Sequence, residues 1–478
     1  MNKLISCGLP NRLLAAALLA ASVALTACGG GGGDDGSKQD SSTVVPKTPT
    51  VSAGTPSVAS TPSGASAPSA ASTPSAATPA SGTNASGGSQ SPVNNGANTA
   101  GNTDTNITPP PAVVVNSVPI TVDNTLDPTI VNTPYVSVQL CAPGTQGASQ
   151  CVTLDHMLLD TGSVGVRVMS SALGAALAAK LPPVTGASND TTGTAPLAEC
   201  AIFASGYTWG SMRRADVVMG GEAASNLPIQ LIGDSGYSAT PSDCVRHGAY
   251  SMTTEELLGA NGIVGIGHLA RDFPEAAQKA LAATYYFCPT PSSCTAAIVP
   301  LNMQTANPVA AFKTDNNGTI IHLPALPATG QASVTGQLIF GIGTRDNNTL
   351  PASATRVAVT DRGLFTTTYA GRTMSSVVDS GSNGLFFQDA TLPVLASWFA
   401  PATTQALSAS MISSTGNAQS TVSFSIANSS SLFALGYAAH DNLGAPLNSM
   451  FMWGLPFFYG RSVYTALSSA QTKPYVAF

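Results

Sequence analysis

From about residue 113 onward the apolar positions come in short runs rich in Val, Ile, Thr and Phe, separated by clusters of Gly, Pro, Asn and Ser. That spacing predicts strands and tight turns over most of the region, hence a mainly β fold with a few short helices. Three stretches carry a longer, helical periodicity and predict those helices: Ser170 to Lys180, Pro274 to Ala283 and Thr391 to Phe399. The region is long enough for two lobes with separate cores, and the division is expected to give an N-terminal lobe of residues 113–335 and a C-terminal lobe of residues 336–478. Two apolar runs end alike. Met157-Leu158-Leu159 leads into Asp160-Thr161-Gly162-Ser163, after which Val164, Val166 and Val168 alternate; Val377-Val378 leads into Asp379-Ser380-Gly381-Ser382 and then Leu385-Phe386-Phe387.

Upstream of residue 113 the pattern changes twice. Lys3 and Arg12 precede an apolar stretch, Leu13 to Leu25, that is short for a membrane span, and Leu25-Thr26-Ala27-Cys28 has the form of a bacterial lipobox. Residues 1–27 are therefore expected to be a lipoprotein signal peptide and Cys28 the lipidated first residue of an exported protein. With Gly29 rather than Asp after that cysteine, the resemblance to bacterial lipoproteins implies the outer membrane, if the organism has one, on its periplasmic face or at the cell surface. Residues 28–112 consist mainly of Gly, Ser, Thr, Pro and Ala, with too little apolar surface for a core, and predict a disordered linker. A tether of that length reaches on the order of 50 Å.

Charge narrows the function classes. The chain has 18 Lys and Arg against 24 Asp and Glu, a formal net charge of −6, and charged residues make up only 9%. No basic surface for nucleic acid is implied. Outside the signal and lipobox six cysteines remain, and an even count in an exported chain suggests disulfides. Proximity favours Cys141 with Cys151, Cys200 with Cys244 and Cys288 with Cys294, although sequence leaves the connectivity open. The cysteine and histidine spacings form no metal motif.

The two Asp loops carry the candidate chemistry. In each, Asp supplies a carboxylate, the next hydroxyl can bond across to a partner loop, Gly lets its N–H approach the carboxylate, and the last hydroxyl can hold the outer oxygen. Two such carboxylates a few ångströms apart share one proton, so that one acts as general base on a water and the other as general acid. The motif alone does not demand this, since Asp-Ser/Thr-Gly makes good turns anywhere. The apolar lead-ins do argue for it, because a lone carboxylate delivered by a buried strand is unfavourable without a partner.

This pair of loops resembles the active-site loops of the pepsin-like aspartic proteases. Further landmarks follow in the family's order. Phe203 to Ser211, with Ala215 to Gly221, looks like the flap hairpin and its following strand; Asn261-Gly262-Ile263-Val264-Gly265-Ile266-Gly267 is similar to the segment beneath the first loop; Gln337 to Gly343 looks like the strand opening the second lobe; Met452 to Tyr464 is similar to the matching segment of lobe two. The resemblance implies a two-lobed fold, Asp160 and Asp379 as catalytic residues, and Thr161, Gly162, Ser163, Ser380, Gly381 and Ser382 as their supports. It implies an aspartic-type endopeptidase taking an extended polypeptide, with no cofactor and no metal, expected to be a monomer held to a membrane through Cys28. A tyrosine overhangs the dyad in the family's flap; alignment leaves both Tyr207 and Phe203 open, with Tyr207 favoured for its hydroxyl. Leu455 and Ser380 depart from the family's commoner residues, and no basic pro-segment is present. The alternative function is a catalytically inactive pepsin-fold surface protein that binds a polypeptide or glycan in its cleft. Gly233-Asp234-Ser235-Gly236 imitates a serine-nucleophile loop, but Tyr237 follows where glycine is expected and no histidine has a triad context.

Overall fold

The computed structural model describes residues 115–144, 150–416, 419–469 and 472–478. The expected signal peptide, Cys28 and the expected linker lie outside the described residues. Among the described residues the fold is mainly β, with strands gathered into one sheet of 15, one of seven and a small hairpin sheet. The Asp160 loop belongs to the larger sheet and the Asp379 loop to the seven-stranded one, which gives the fold two lobes.

The lobes are joined by a strip of strands from distant parts of the chain. Ser117–Val122 pairs antiparallel with Val334–Phe340, which pairs with Gly318–Leu323, which pairs in turn with Arg461–Ala466. Tyr475–Ala477 adds to the last of these and carries Arg356–Ala358 on its outer side. Segments from the beginning, the middle and the end of the described region are thus fixed in one sheet. The Val334–Phe340 strand runs across residues 335 and 336.

The two lobes fill their interiors differently. The N-terminal core is aliphatic, with Val138, Leu140, Met157, Leu159, Val166, Val168, Ile229 and Val264 all buried. Under the second Asp loop the core is aromatic: Phe387 stacks on Phe451 at 5.0 Å, Phe451 on Trp453 at 4.4 Å, and Phe424 meets Trp453 edge-on at 5.5 Å. Such rings bury much area and prefer offset or edge contacts. The indole N–H of Trp453 is satisfied by Thr367 Oγ1 at 3.0 Å.

Three disulfides, Cys141–Cys151, Cys200–Cys244 and Cys288–Cys294, all lie in the N-terminal lobe. The first bridges directly opposed residues of neighbouring strands, and the second ties the Leu197–Phe203 strand to the Ser242–Gly248 helix.

Of the three expected helices one forms in part. Ser170–Leu173 and Ala175–Ala178 are single helical turns interrupted at Gly174, whose φ of 80° breaks the helix. Pro274–Ala277 makes only a 3-10 turn. Thr391 to Phe399 is not helical: Val394–Leu395 and Trp398–Phe399 pair as a hairpin, with Ala396 and Ser397 both at positive φ in its turn. The helical spacing there is a coincidence of a two-residue turn between apolar pairs, and Pro393 opposes a helix in any case.

Candidate active site

Asp160 is the last residue of the Cys151–Asp160 strand. That strand runs parallel to Gly262–Ile266, with Leu159 opposite Val264 and Asp160 opposite Gly265, while Val164–Met169 runs antiparallel on the other side of Gly262–Ile266. One short segment therefore threads between the two limbs of the Asp loop. The second lobe repeats the arrangement: Arg372–Val378 runs parallel to Phe451–Trp453, and Leu385–Phe387 returns antiparallel to it. Glycine is needed where loop and threaded segment cross. A Cβ on Gly265 would lie 2.7 Å from Val164 N, and one on Gly454 would lie 2.2 Å from Gly384 O and 2.5 Å from Ser382 O.

Reciprocal hydrogen bonds lock the loops together across the lobes. Thr161 N–H donates to Ser380 Oγ at 3.0 Å and Ser380 N–H to Thr161 Oγ1 at 2.9 Å. Each hydroxyl then donates to the backbone of the opposite lead-in strand, Thr161 to Val378 O at 3.2 Å and Ser380 to Leu159 O at 2.7 Å. All four groups are buried, so each bond answers a polar group that has no access to water.

The carboxylates face one another inside this frame. Gly162 N–H donates to Asp160 Oδ1 at 2.8 Å and Gly381 N–H to Asp379 Oδ1 at 3.0 Å. A Cβ on Gly162 would sit 2.6 Å from Asp379 Oδ1, and one on Gly381 would sit 2.7 Å from Asp160 Oδ1. Each glycine is the close approach that lets the other loop's carboxylate in. Burial pushes the pKa of Asp379 up to about 8, and the charge of Asp160 adds to the rise, against the opposing hydrogen bonds from Ser382 and Gly381. The pair therefore holds one proton between two carboxylates.

The last hydroxyls are not equivalent. Ser382 Oγ donates to Asp379 Oδ2 at 2.6 Å. Ser163 Oγ is buried without a hydrogen-bond partner among the described residues, and it lies toward Gly265, where a Cβ would come within 2.8 Å of it. The expectation that Ser163 supports its carboxylate as Ser382 does is corrected: the bare face of Gly265 takes the hydroxyl instead.

The flap hairpin is formed by Leu197–Phe203 and Gly206–Met219, with Phe203 opposite Gly206. Phe203, Ala204 and Ser205 form its tip and line the cleft together with Asp160 and Asp379. Tyr207 pairs with Ile202, one step along, which turns it to the other face of the hairpin from Phe203. It is buried among Cys200, Trp209, Cys244 and Tyr286. A Cβ on Gly248 would meet Tyr207 Cβ at 2.4 Å, so the helix packs directly on it. The preference for Tyr207 is thus corrected: of the two residues Phe203 lines the cleft, and Tyr207 is packed away from it.

The cleft has a volume of about 300 Å³, and Ile130, Leu158, Met252, Leu257 and Phe386 give it apolar walls. Behind the flap lies an ion cluster that no sequence spacing announced. Arg167 Nη2 is 2.5 Å from Glu199 Oε1 and 3.1 Å from Asp272 Oδ2, and all three side chains are buried. Tyr285 donates to Asp272, and Thr305 Oγ1 donates to Glu199 Oε2 at 2.9 Å. Burial, reinforced by Glu199, raises the Asp272 carboxyl well above its ordinary value. The only local signal was an arginine inside a valine-rich strand. Asp234 of the serine-loop imitation accepts from Ser211 at 2.5 Å and from Arg213 at 3.1 Å, a structural ion pair.

The model of a family described as protein of unknown function (DUF3443) matches residues 112–478. No curated protein matches the chain. Among solved structures, an aspartic proteinase from Irpex lacteus is similar at a TM-score of 0.39 and 16% identity, over 76% of this chain and 96% of that one.

Proposed function

For this chain, which belongs to the DUF3443 family, we propose the activity of an aspartic-type endopeptidase that acts outside the cytoplasm. The observation that carries the reading is the locked pair of carboxylates, with Asp379 pushed up to about 8 beside Asp160 in an open cleft. In that state Asp160 is the base and Asp379 the acid. Asp160 takes a proton from a water held between the carboxylates as its oxygen bonds to the peptide carbon, while Asp379 gives its proton to the carbonyl oxygen. The resulting tetrahedral diol collapses: one hydroxyl proton returns to Asp379, the proton on Asp160 passes to the nitrogen, and the C–N bond breaks. An extended polypeptide fits such a cleft by strand-like bonding to the flap edge. The domain would act as a monomer.

The sequence supports placing this domain outside the cytoplasm, with residues 1–27 removed, Cys28 lipidated and residues 28–112 serving as a tether from the outer membrane. Three disulfides are compatible with an oxidising compartment. Loss of the protein from the membrane fraction on Cys28→Ser is the expected outcome, and unchanged partitioning would sink the anchor.

The test of activity is incubation of the mature protein with denatured protein over a pH series, with and without a transition-state-mimicking aspartic-protease inhibitor. Inhibitor-sensitive cleavage is expected. Two observations favour the reading of a cleft that binds without cutting: the flap tip carries Phe203, which has no hydroxyl, and Asp160 lacks the serine bond that Asp379 has. Tight peptide binding with no turnover at any pH would select it.

A further inference from the structure

Phe203 lines two cavities, the cleft with the dyad and a smaller one of about 150 Å³ on its other side. The smaller cavity is bounded by Thr161, Gly162 and Ser163, so a substrate side chain entering it belongs to a residue close to the scissile bond. Its chemistry differs from that of the cleft. His268, buried in its wall, places Nδ1 2.7 Å from Ala466 O. A carbonyl only accepts, so Nδ1 carries the hydrogen and Nε2 is left as an acceptor. Burial lowers the pKa of His268, which keeps the ring neutral.

Most charges around this cavity are answered. Arg167 is held by Glu199 and Asp272, and Arg362 lies 2.7 Å from Glu275 with both side chains about half exposed. Asp361 is different. It is exposed, its Oδ1 accepts from Ser468 Oγ at 2.7 Å, and it has no ion-pair partner among the described residues. Its charge also reaches His268. The rings of Phe203 and Phe273 complete the walls and suit the stem of a long side chain or the face of a guanidinium.

We propose that this side pocket is a specificity site for a cationic side chain, Lys or Arg, of the polypeptide substrate, with the Asp361 carboxylate and His268 Nε2 as its acceptors. The assignment rests on the endopeptidase reading. The experiment is a digest of denatured protein by the mature protein, with cleaved ends read by mass spectrometry, followed by kinetics on two peptides that differ only in Lys or Leu at the enriched position. Lys and Arg should be enriched at one position near the cut. Asp361→Asn, which keeps an acceptor for Ser468, should lower kcat/KM on the Lys peptide by about tenfold and leave the Leu peptide unchanged. Asp361→Lys should reverse the preference. Cleavage without enrichment, or equal kcat/KM of Asp361→Asn and wild type on the Lys peptide, overturns this inference and leaves the endopeptidase reading standing. If nothing is cleaved, that reading fails. Binding of the labelled Lys peptide then decides the pocket: loss on Asp361→Asn supports it, and indifference overturns it.

Discussion

The two Asp loops are built by the same local rule and end in different environments. Both sit at the end of an apolar strand, both cross a threaded segment at a glycine, and both give a glycine N–H to their own carboxylate. Yet Ser382 holds Asp379 while Ser163 turns away from Asp160, and only the second loop rests on an aromatic core. A repeated motif fixes where a carboxylate is presented. Which member keeps the proton depends on surroundings that the motif does not contain.

The strongest way to break the comparison is to remove each carboxylate. Asp160→Asn and Asp379→Asn should each lower turnover roughly a thousandfold or more, with the double variant little worse, because the pair acts as a unit. Substantial activity in either single variant would show that the loops are not partners in catalysis. Next come the glycines of close approach. Gly162→Ala and Gly381→Ala put a methyl group against the opposite carboxylate, and a loss of about a hundredfold in a folded protein is expected. Wild-type turnover in either variant would mean that the loops are not held so near.

Smaller effects separate the loops from each other. Ser380→Ala leaves Thr161 N–H and Leu159 O without their partner, and should destabilise by about 1–3 kcal/mol in urea unfolding. Thr161→Val should do the same from the other side, and a neutral result in both would disprove the reciprocal lock. For pH, the sign follows from the raised pKa of Asp379. Below about pH 4 the folded and unfolded states both hold the proton; from there to about 8 the native state keeps a proton that the unfolded chain has lost, so stability falls as pH rises. Asp379→Asn should therefore melt with wild type near pH 4 and a few degrees above it near pH 8, while wild-type turnover falls as pH rises through about 8. A constant offset in melting across the range would contradict the shared proton. The smallest effect is the sharpest: Ser382→Ala should shift the pH profile of turnover, and Ser163→Ala, which breaks no hydrogen bond among the described residues, should leave it in place.

The amino-acid sequence by itself determined most of the strands and the two Asp loops, because these depend on spacing within a few residues. Period-two alternation and apolar-Asp-Ser/Thr-Gly are local signals, and the nearest-neighbour cysteine pairs were equally local. The spacing of Val394 to Phe399 misled for the same reason, since a hairpin turn can imitate a helical repeat until the φ angles of Ala396 and Ser397 are known. Tertiary structure alone decided what faces what. The flap register turned on one pairing, Phe203 opposite Gly206, that sends Tyr207 to the other face. The idle hydroxyl of Ser163 depended on the empty face of Gly265. Arg167, Glu199 and Asp272 come from three separate segments, and no spacing in the chain encodes their meeting, because a buried ion cluster is specified by the space that packed strands leave between them.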